Sequence, residues 1–347
     1  MKTIKRTIII LLVSVFFLIS CSNQAEEKAD NEVKLILGAY TTPREAYSQI
    51  IPLFAAYWLE ETGQTVVFEE SYLGSGAQSR AVINGFEADI VALSLEADVN
   101  RIQEAGLITH NWKEGPYNGI VTTSIVAFAV REGNPLNISD WQDLTQPGLE
   151  ILTPNPNTSG GAMWNVLAAY GAALRGQIDG VSGDDPAGAS VFLSQVLSNV
   201  SVMDKAARDS IINFENGIGE IAITYENEVL VGRQSGQTYE LLIPSSTILI
   251  ENPIAIVDAS VDKHGTRNVA EAFIEFLYTY EAQQIFANHG LRVLNKDVAS
   301  EMKSLYPDVA DLFTVAYFGG WENIMSDIFS EDGVYTRAIL DVQGGEE

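Results

Sequence analysis

Four stretches of this chain place small, polar and glycine residues where a helix should begin just after a strand. Tyr40-Thr41-Thr42-Pro43-Arg44-Glu45 puts Thr42 at the predicted N-cap, Pro43 at the first helical position and Glu45 where it would close a capping box. Tyr72-Leu73-Gly74-Ser75-Gly76-Ala77-Gln78 has the same box spacing from Ser75 to Gln78, with glycines that let the backbone approach a ligand closely. Pro154-Asn155-Pro156-Asn157-Thr158-Ser159-Gly160-Gly161 is extended, proline-rich chain that stops at a Ser-Gly-Gly helix start. Asp204-Lys205-Ala206-Ala207-Arg208 opens a fourth helix running toward Phe214. A helix start offers unpaired N–H groups and about half a unit of positive charge, so it binds anions without a basic residue. Four of them meeting in one cleft could hold a small oxyanion.

Other residues with reactive side chains form no constellation. Ser75 and Ser159 lack both a Gly-x-Ser-x-Gly elbow and a Ser-x-x-Lys pair, so no nucleophile has its base and no enzyme is expected. His110, His264 and His289 lie far apart without ligand spacing, so neither a metal site nor a cofactor is predicted. Arg44, Arg80 and Arg208 fall in first or second turns near the proposed site, where they would support it by pairing with neighbouring carboxylates. Glu226-Asn227-Glu228 suits helix-start charges or a surface for a partner.

The elements that must position these groups alternate along the chain. Strands are predicted at 33–37, 65–69, 90–95, 125–130, 150–152, 221–225, 240–243 and 254–257, with helices between them. Arg267–Leu277 is the clearest helix, its apolar face made of Val269, Phe273, Phe276 and Leu277. Pro52 is expected to split the helix after Thr42 into two pieces. The pattern is α/β with largely parallel sheets. Thr122–Val130 and Leu241–Val257 read as two crossover hinge strands. They divide the chain into lobe 1 (33–121 and 243–347) and lobe 2 (122–242), with the helix starts facing the cleft between them.

The N-terminus carries Lys2, Lys5 and Arg6, then an apolar run too short to span a bilayer, then Leu18-Ile19-Ser20-Cys21. Residues 1–20 read as a secretory signal and Cys21 as a lipidated new N-terminus, followed by a flexible tether through residue 32. Cys21 is the single cysteine, which excludes a disulfide within the chain. The formal charge is −26. A field of that sign repels nucleic acid and anionic headgroups, and it gives an anionic ligand no long-range help, so any anion site must be local.

The same segments resemble the sulfate-binding proteins of the type II periplasmic-binding-protein superfamily. The resemblance covers nearly all of the chain after the tether. It is carried by Tyr72-Leu73-Gly74-Ser75-Gly76-Ala77-Gln78-Ser79-Arg80-Ala81-Val82, Asn84-Gly85-Phe86-Glu87-Ala88-Asp89 and Arg131-Glu132-Gly133-Asn134-Pro135. Thr153-Pro154-Asn155-Pro156, Ser159 through Asn165, and Phe318-Gly319-Gly320-Trp321 add to it. It implies a two-lobed receptor that holds dehydrated sulfate by hydrogen-bond donors alone. By position, Ser75 would give its hydroxyl, Ser159, Gly160 and Gly161 hydroxyl and amide donors, and Ala207 and Thr41 their amides. Tyr225 stands where many members have a tryptophan, and a phenol, unlike an indole, also accepts. The resemblance further implies a monomer outside the cytoplasmic membrane that delivers its cargo to an inner-membrane ABC permease. Thiosulfate, molybdate, tungstate and phosphate are alternative cargoes, and a sensory or structural lipoprotein is the alternative of another class.

Overall fold

The computed structural model describes residues 31–344; the predicted signal, Cys21 and all but the last two residues of the tether lie outside them. The strands are β1 (Glu32–Tyr40), β2 (Thr65–Leu73), β3 (Ile90–Ala92), β4 (Ile120–Val130), β5 (Ile151–Pro154), β6 (Val200–Asp204), β7 (Ile221–Tyr225), β8 (Glu240–Leu242), β9 (Ser246–Ile256) and β10 (Asp311–Phe313). The helices are α1 (Arg44–Thr62), α2 (Ser75–Ile83), α3 (Glu96–Glu104), α4 (Gly160–Leu174), α5 (Pro186–Ser198), α6 (Ala207–Glu215), α7 (Glu226–Gln234), α8 (Asp258–His264), α9 (Arg267–Phe276), α10 (Tyr280–Asn288), α11 (Lys296–Glu301), α12 (Trp321–Asp327) and α13 (Val334–Gly344).

The strand order is β2-β1-β3-β9-β4-β7-β5-β6, with β10 beside β9 and β8 beside β4. β1 is parallel to β2 and β3, and β5 is parallel to β6 and β7, as βαβ crossovers require. The two halves are joined by the two long antiparallel strands. Ile120–Ile125 of β4 pairs with β9, whereas Val126–Val130 pairs with β7 and β8. At the far end of β9, Ile254–Ile256 pairs with β3, while Ser246–Ile248 pairs with β10. Each strand therefore runs from one half-sheet into the other. The predicted crossovers sit on these strands, although β8 is a separate element ahead of β9.

Two large apolar cores lie on either side of the crossing. One gathers Leu35, Leu37, Tyr47, Phe54, Phe273 and Phe286 beneath β1 and α1. The other gathers Phe128, Trp141, Trp164, Phe192 and Ile221. This second core also takes in Trp321, Ile324, Ile328 and Ala338, and α13 packs on α5. The C-terminal part of 243–347 thus builds onto lobe 2 instead of staying wholly with lobe 1.

Two local expectations are corrected. α1 is one helix across Pro52. Pro52 is exposed and so is Ser48, whose carbonyl loses its helical N–H partner and faces water instead. Neither predicted capping box forms: α1 begins one position later than its box needs, after Pro43, α2 begins one position earlier than its box needs, after Gly74, and neither has a side-chain cap.

Candidate functional site

The four singled-out helix starts converge where the halves meet. α1 begins after β1, α2 after β2, α4 after β5 and α6 after β6. None of the four carries a side-chain cap, as is also true of α3, α7, α8, α9 and α12, so what distinguishes the four is that they meet at one place. The amides of Ser75, Gly160, Gly161 and Ala207 donate to no protein acceptor among the described residues. Ser159, Gly160, Gly161 and Ala207 are buried. Buried N–H groups at an uncapped helix start are oriented donors with favourable dipoles, the combination that takes an anion.

These starts touch across the cleft. The Ala77 amide of α2 donates to the Thr158 carbonyl at 3.1 Å. A Cβ built on Gly74 would collide with the Thr158 carbonyl and lie 2.8 Å from that of Lys205, so only glycine lets the two loops approach. A Cβ on Gly160 would lie 2.7 Å from Ser94 Oγ, and one on Gly161 would lie 2.8 Å from the Tyr225 ring and 3.2 Å from the Ala207 side chain. Gly160, Gly161, Ala207 and Tyr225 are therefore brought together, with Ser159 Oγ at the same point. Thr41 follows β1 directly, and its neighbour Tyr40 has its ring centroid 6.3 Å from that of Tyr225. Tyr225 closes β7, is 1 % exposed, and burial holds its phenol well above the usual tyrosine range, so it stays protonated.

Ser75 differs from its expected part. Its hydroxyl donates to the buried Asp98 carboxylate and accepts the Ser94 amide at 3.0 Å. Its single proton is therefore committed inside the protein, and what it retains for a ligand is its amide. Burial raises the Asp98 pKa, and Arg101, with Nη1 at 2.8 Å, works against that rise together with the Ser75 hydroxyl.

The three arginines separate. Arg208 bridges the halves: it is bidentate to Glu45 at 2.7 and 3.0 Å, donates to the Thr42 carbonyl, and pairs with buried Glu228 at 2.7 Å. Arg80 lines a cavity of about 820 Å³ beside the donor cluster, together with Asp98 and Arg101. Arg44 is exposed and lies over the Tyr72 ring at 5.2 Å. Glu226 and Glu228 open α7 as helix-start charges, but they are buried, Glu226 bidentate to Arg292 at 2.7 and 2.9 Å, so neither forms a partner-facing surface. Among the described residues no cluster suited to a metal ion is present.

Sequence reasoning missed Ser94. It lies in the segment between β3 and α3, its carbonyl accepts from Trp164 Nε1 at 3.0 Å, and its Oγ is 2.6 Å from the Tyr225 hydroxyl. A lone serine inside an apolar run gives no signal of its own; only the pairing of two distant strands reveals it.

A family model for bacterial extracellular solute-binding proteins matches residues 35–292. The chain belongs to that family. It is 43 % identical over 326 residues to the sulfate-binding protein of Synechococcus elongatus, covering 93 % of this chain and 91 % of the relative. The thiosulfate-binding protein of Escherichia coli K12 is 34 % identical over 313 residues, with 88 % and 91 % covered. The solved structure of the Mycobacterium tuberculosis H37Rv sulfate-binding protein superposes with a TM-score of 0.79 at 35 % identity, covering 86 % of this chain and all of that one. Members of such a family bind solutes for transport, and the two-lobed α/β architecture expected from the sequence is the one observed.

Proposed function

We propose that this chain captures sulfate between its lobes and delivers it to an inner-membrane ABC permease. The observation that carries the reading is the cluster of uncapped, buried helix starts meeting across the cleft, with Tyr225 and Ser159 hydroxyls beside them. The amides of Thr41, Ser75, Gly160, Gly161 and Ala207, the hydroxyl of Ser159 and the phenol of Tyr225 would surround a tetrahedral dianion with donors. Sulfate carries no proton at neutral pH and wants donors only, whereas phosphate keeps one and needs an acceptor. Relatives named for sulfate are nearer in sequence than those named for thiosulfate, which supports sulfate as the cargo. The binding energy comes from replacing water with donors already oriented by the fold. Arg208, Arg80 and Arg44 would support the site from outside the donor ring, Arg208 by tying Glu45 and Glu228 together across the cleft.

The remaining parts of the reading follow from the N-terminus. Lipidated Cys21 would tether a monomer outside the cytoplasmic membrane, with residues 22–32 giving it reach to the permease. Mass spectrometry of the membrane-extracted protein tests the anchor: a diacylglyceryl-modified Cys21 at the mature N-terminus supports it, and an unmodified mature chain starting elsewhere refutes it. For the cargo, equilibrium dialysis with labelled sulfate, competed by thiosulfate, molybdate and phosphate, is decisive. One-to-one sulfate binding with sulfate the strongest competitor supports the proposal; displacement first by thiosulfate reassigns the cargo.

A further inference from the structure

The Ser94–Tyr225 hydroxyl pair spans the two lobes, and it solves a difficulty that Tyr225 creates. A phenol in a sulfate site brings an acceptor lone pair that an indole lacks, and that lone pair would welcome the proton of hydrogen phosphate. In the structure Ser94 Oγ stands 2.6 Å from that phenolic oxygen. Each hydroxyl has one proton, and one of the two lies between them. A dianion beside Tyr225 selects the arrangement in which the phenolic proton points at the anion, since charge-assisted hydrogen bonds are about twice as strong as neutral ones. The proton between the oxygens is then Ser94's. We propose that Ser94 is a specificity-determining residue: its hydroxyl donates to Tyr225, fills the phenol's accepting lone pair, and so makes Tyr225 a donor-only ligand that admits sulfate and rejects phosphate.

Ser94 is held for this task on its other atoms. Its amide donates to Ser75 Oγ, whose proton goes on to Asp98, and its carbonyl accepts from Trp164 Nε1. Ser94 is 1 % exposed, so no water competes for its hydroxyl. Its neighbour across the cleft, Gly160, has no side chain to displace it, and a Cβ there would fall 2.7 Å from Oγ. Because Ser94 belongs to one lobe and Tyr225 to the other, the lone pair is filled only when the lobes close. Selectivity is thereby assembled by the closure that traps the ligand, as in other sites completed by domain movement.

The proposal rests on the sulfate reading above, and its test separates the two. Calorimetry of the lobed body with sulfate and with inorganic phosphate is run first on the wild type; silence toward sulfate there overturns the function itself. Given wild-type binding, Ser94→Ala should keep sulfate within about tenfold and gain phosphate affinity by at least about tenfold. Adding Tyr225→Trp to Ser94→Ala should abolish the phosphate gain, because an indole has no lone pair to offer. A purely structural role for Ser94 weakens both anions together and is not rescued by Tyr225→Trp. Continued blindness of Ser94→Ala to phosphate while it binds sulfate overturns the proposal, and so does a phosphate gain that survives Tyr225→Trp. If Ser94→Ala does not fold, Ser94→Cys keeps the volume with a weaker donor and is judged by the same two outcomes.

Discussion

Asp98 is fully buried, accepts the Ser75 hydroxyl hydrogen bond and pairs with Arg101, with the Arg80 charge also favouring its ionised form, so the lobe-1 side of the cleft rests on a carboxylate that a few specific partners compensate. Ser75→Ala removes one of them and also leaves the Ser94 amide without its acceptor. The expected cost is about 1–3 kcal/mol of folding stability, read as a lower denaturation midpoint with an unchanged slope. Glu226 sits in a comparable setting, bidentate to Arg292 and 0 % exposed. Glu226→Ala strands the guanidinium and should lower stability by about 3 kcal/mol or more in the same measurement; an unchanged midpoint would show that Arg292 finds water instead. The residue types of the donor cluster were legible because glycine and serine before a helix have a physical meaning in any α/β chain. Ser75's commitment to Asp98, and Ser94's place opposite Tyr225, were not legible, because each depends on a contact between residues 19 or more positions apart.

At the scale of elements, the decisive property is that helix starts from both lobes meet backbone to backbone. Gly74→Ala puts a methyl against the Thr158 and Lys205 carbonyls, neither of which moves without its loop. Sulfate affinity should then fall by about a hundredfold or more, while the midpoint of the ligand-free protein changes little, since the clash exists only when the lobes close. α8 supplies an independent pH test. Burial alone would raise the Asp258 pKa, but the His110 side chain, the Thr109 and His110 amides and Arg267 reverse this and hold the carboxyl well below the usual range. A depressed folded pKa contributes stability above the unfolded value of about 4 and loses it as pH falls below. Asp258→Asn should therefore be less stable than wild type by about 1–3 kcal/mol at neutral pH, with the gap closing below about pH 4. Chemical denaturation across pH 3–7 checks this, and a constant gap contradicts it. Most strands were readable as apolar runs. β6 and β10 were not: β6 is a half-exposed edge strand, and β10 is three residues long. Pro52 misled because its exposed face tolerates the missing bond.

The whole molecule is two α/β halves hinged by β4 and β9 and held shut by cross-lobe contacts: Ala77 to Thr158, Trp164 to Ser94, Arg208 to Glu45 and Tyr225 to Ser94. The hinges could be read from the sequence because a chain that leaves a sheet and returns must cross twice. The return of the C-terminus to lobe 2 was hidden, because α12 and α13 are short amphipathic helices that would pack equally well on either core. A strongly acidic molecule that nonetheless takes a dianion must do so through oriented dipoles and not through net charge. Sulfate affinity should accordingly change less than about threefold between low and high sodium chloride, whereas binding governed by the net negative field would tighten steeply as salt screens the repulsion. The most direct test of the account is isothermal titration of the body that follows Cys21 with sulfate and with phosphate in chloride buffer. The account predicts tight one-to-one sulfate binding with no heat from phosphate. Silence toward sulfate, or equal response to both anions, would contradict it.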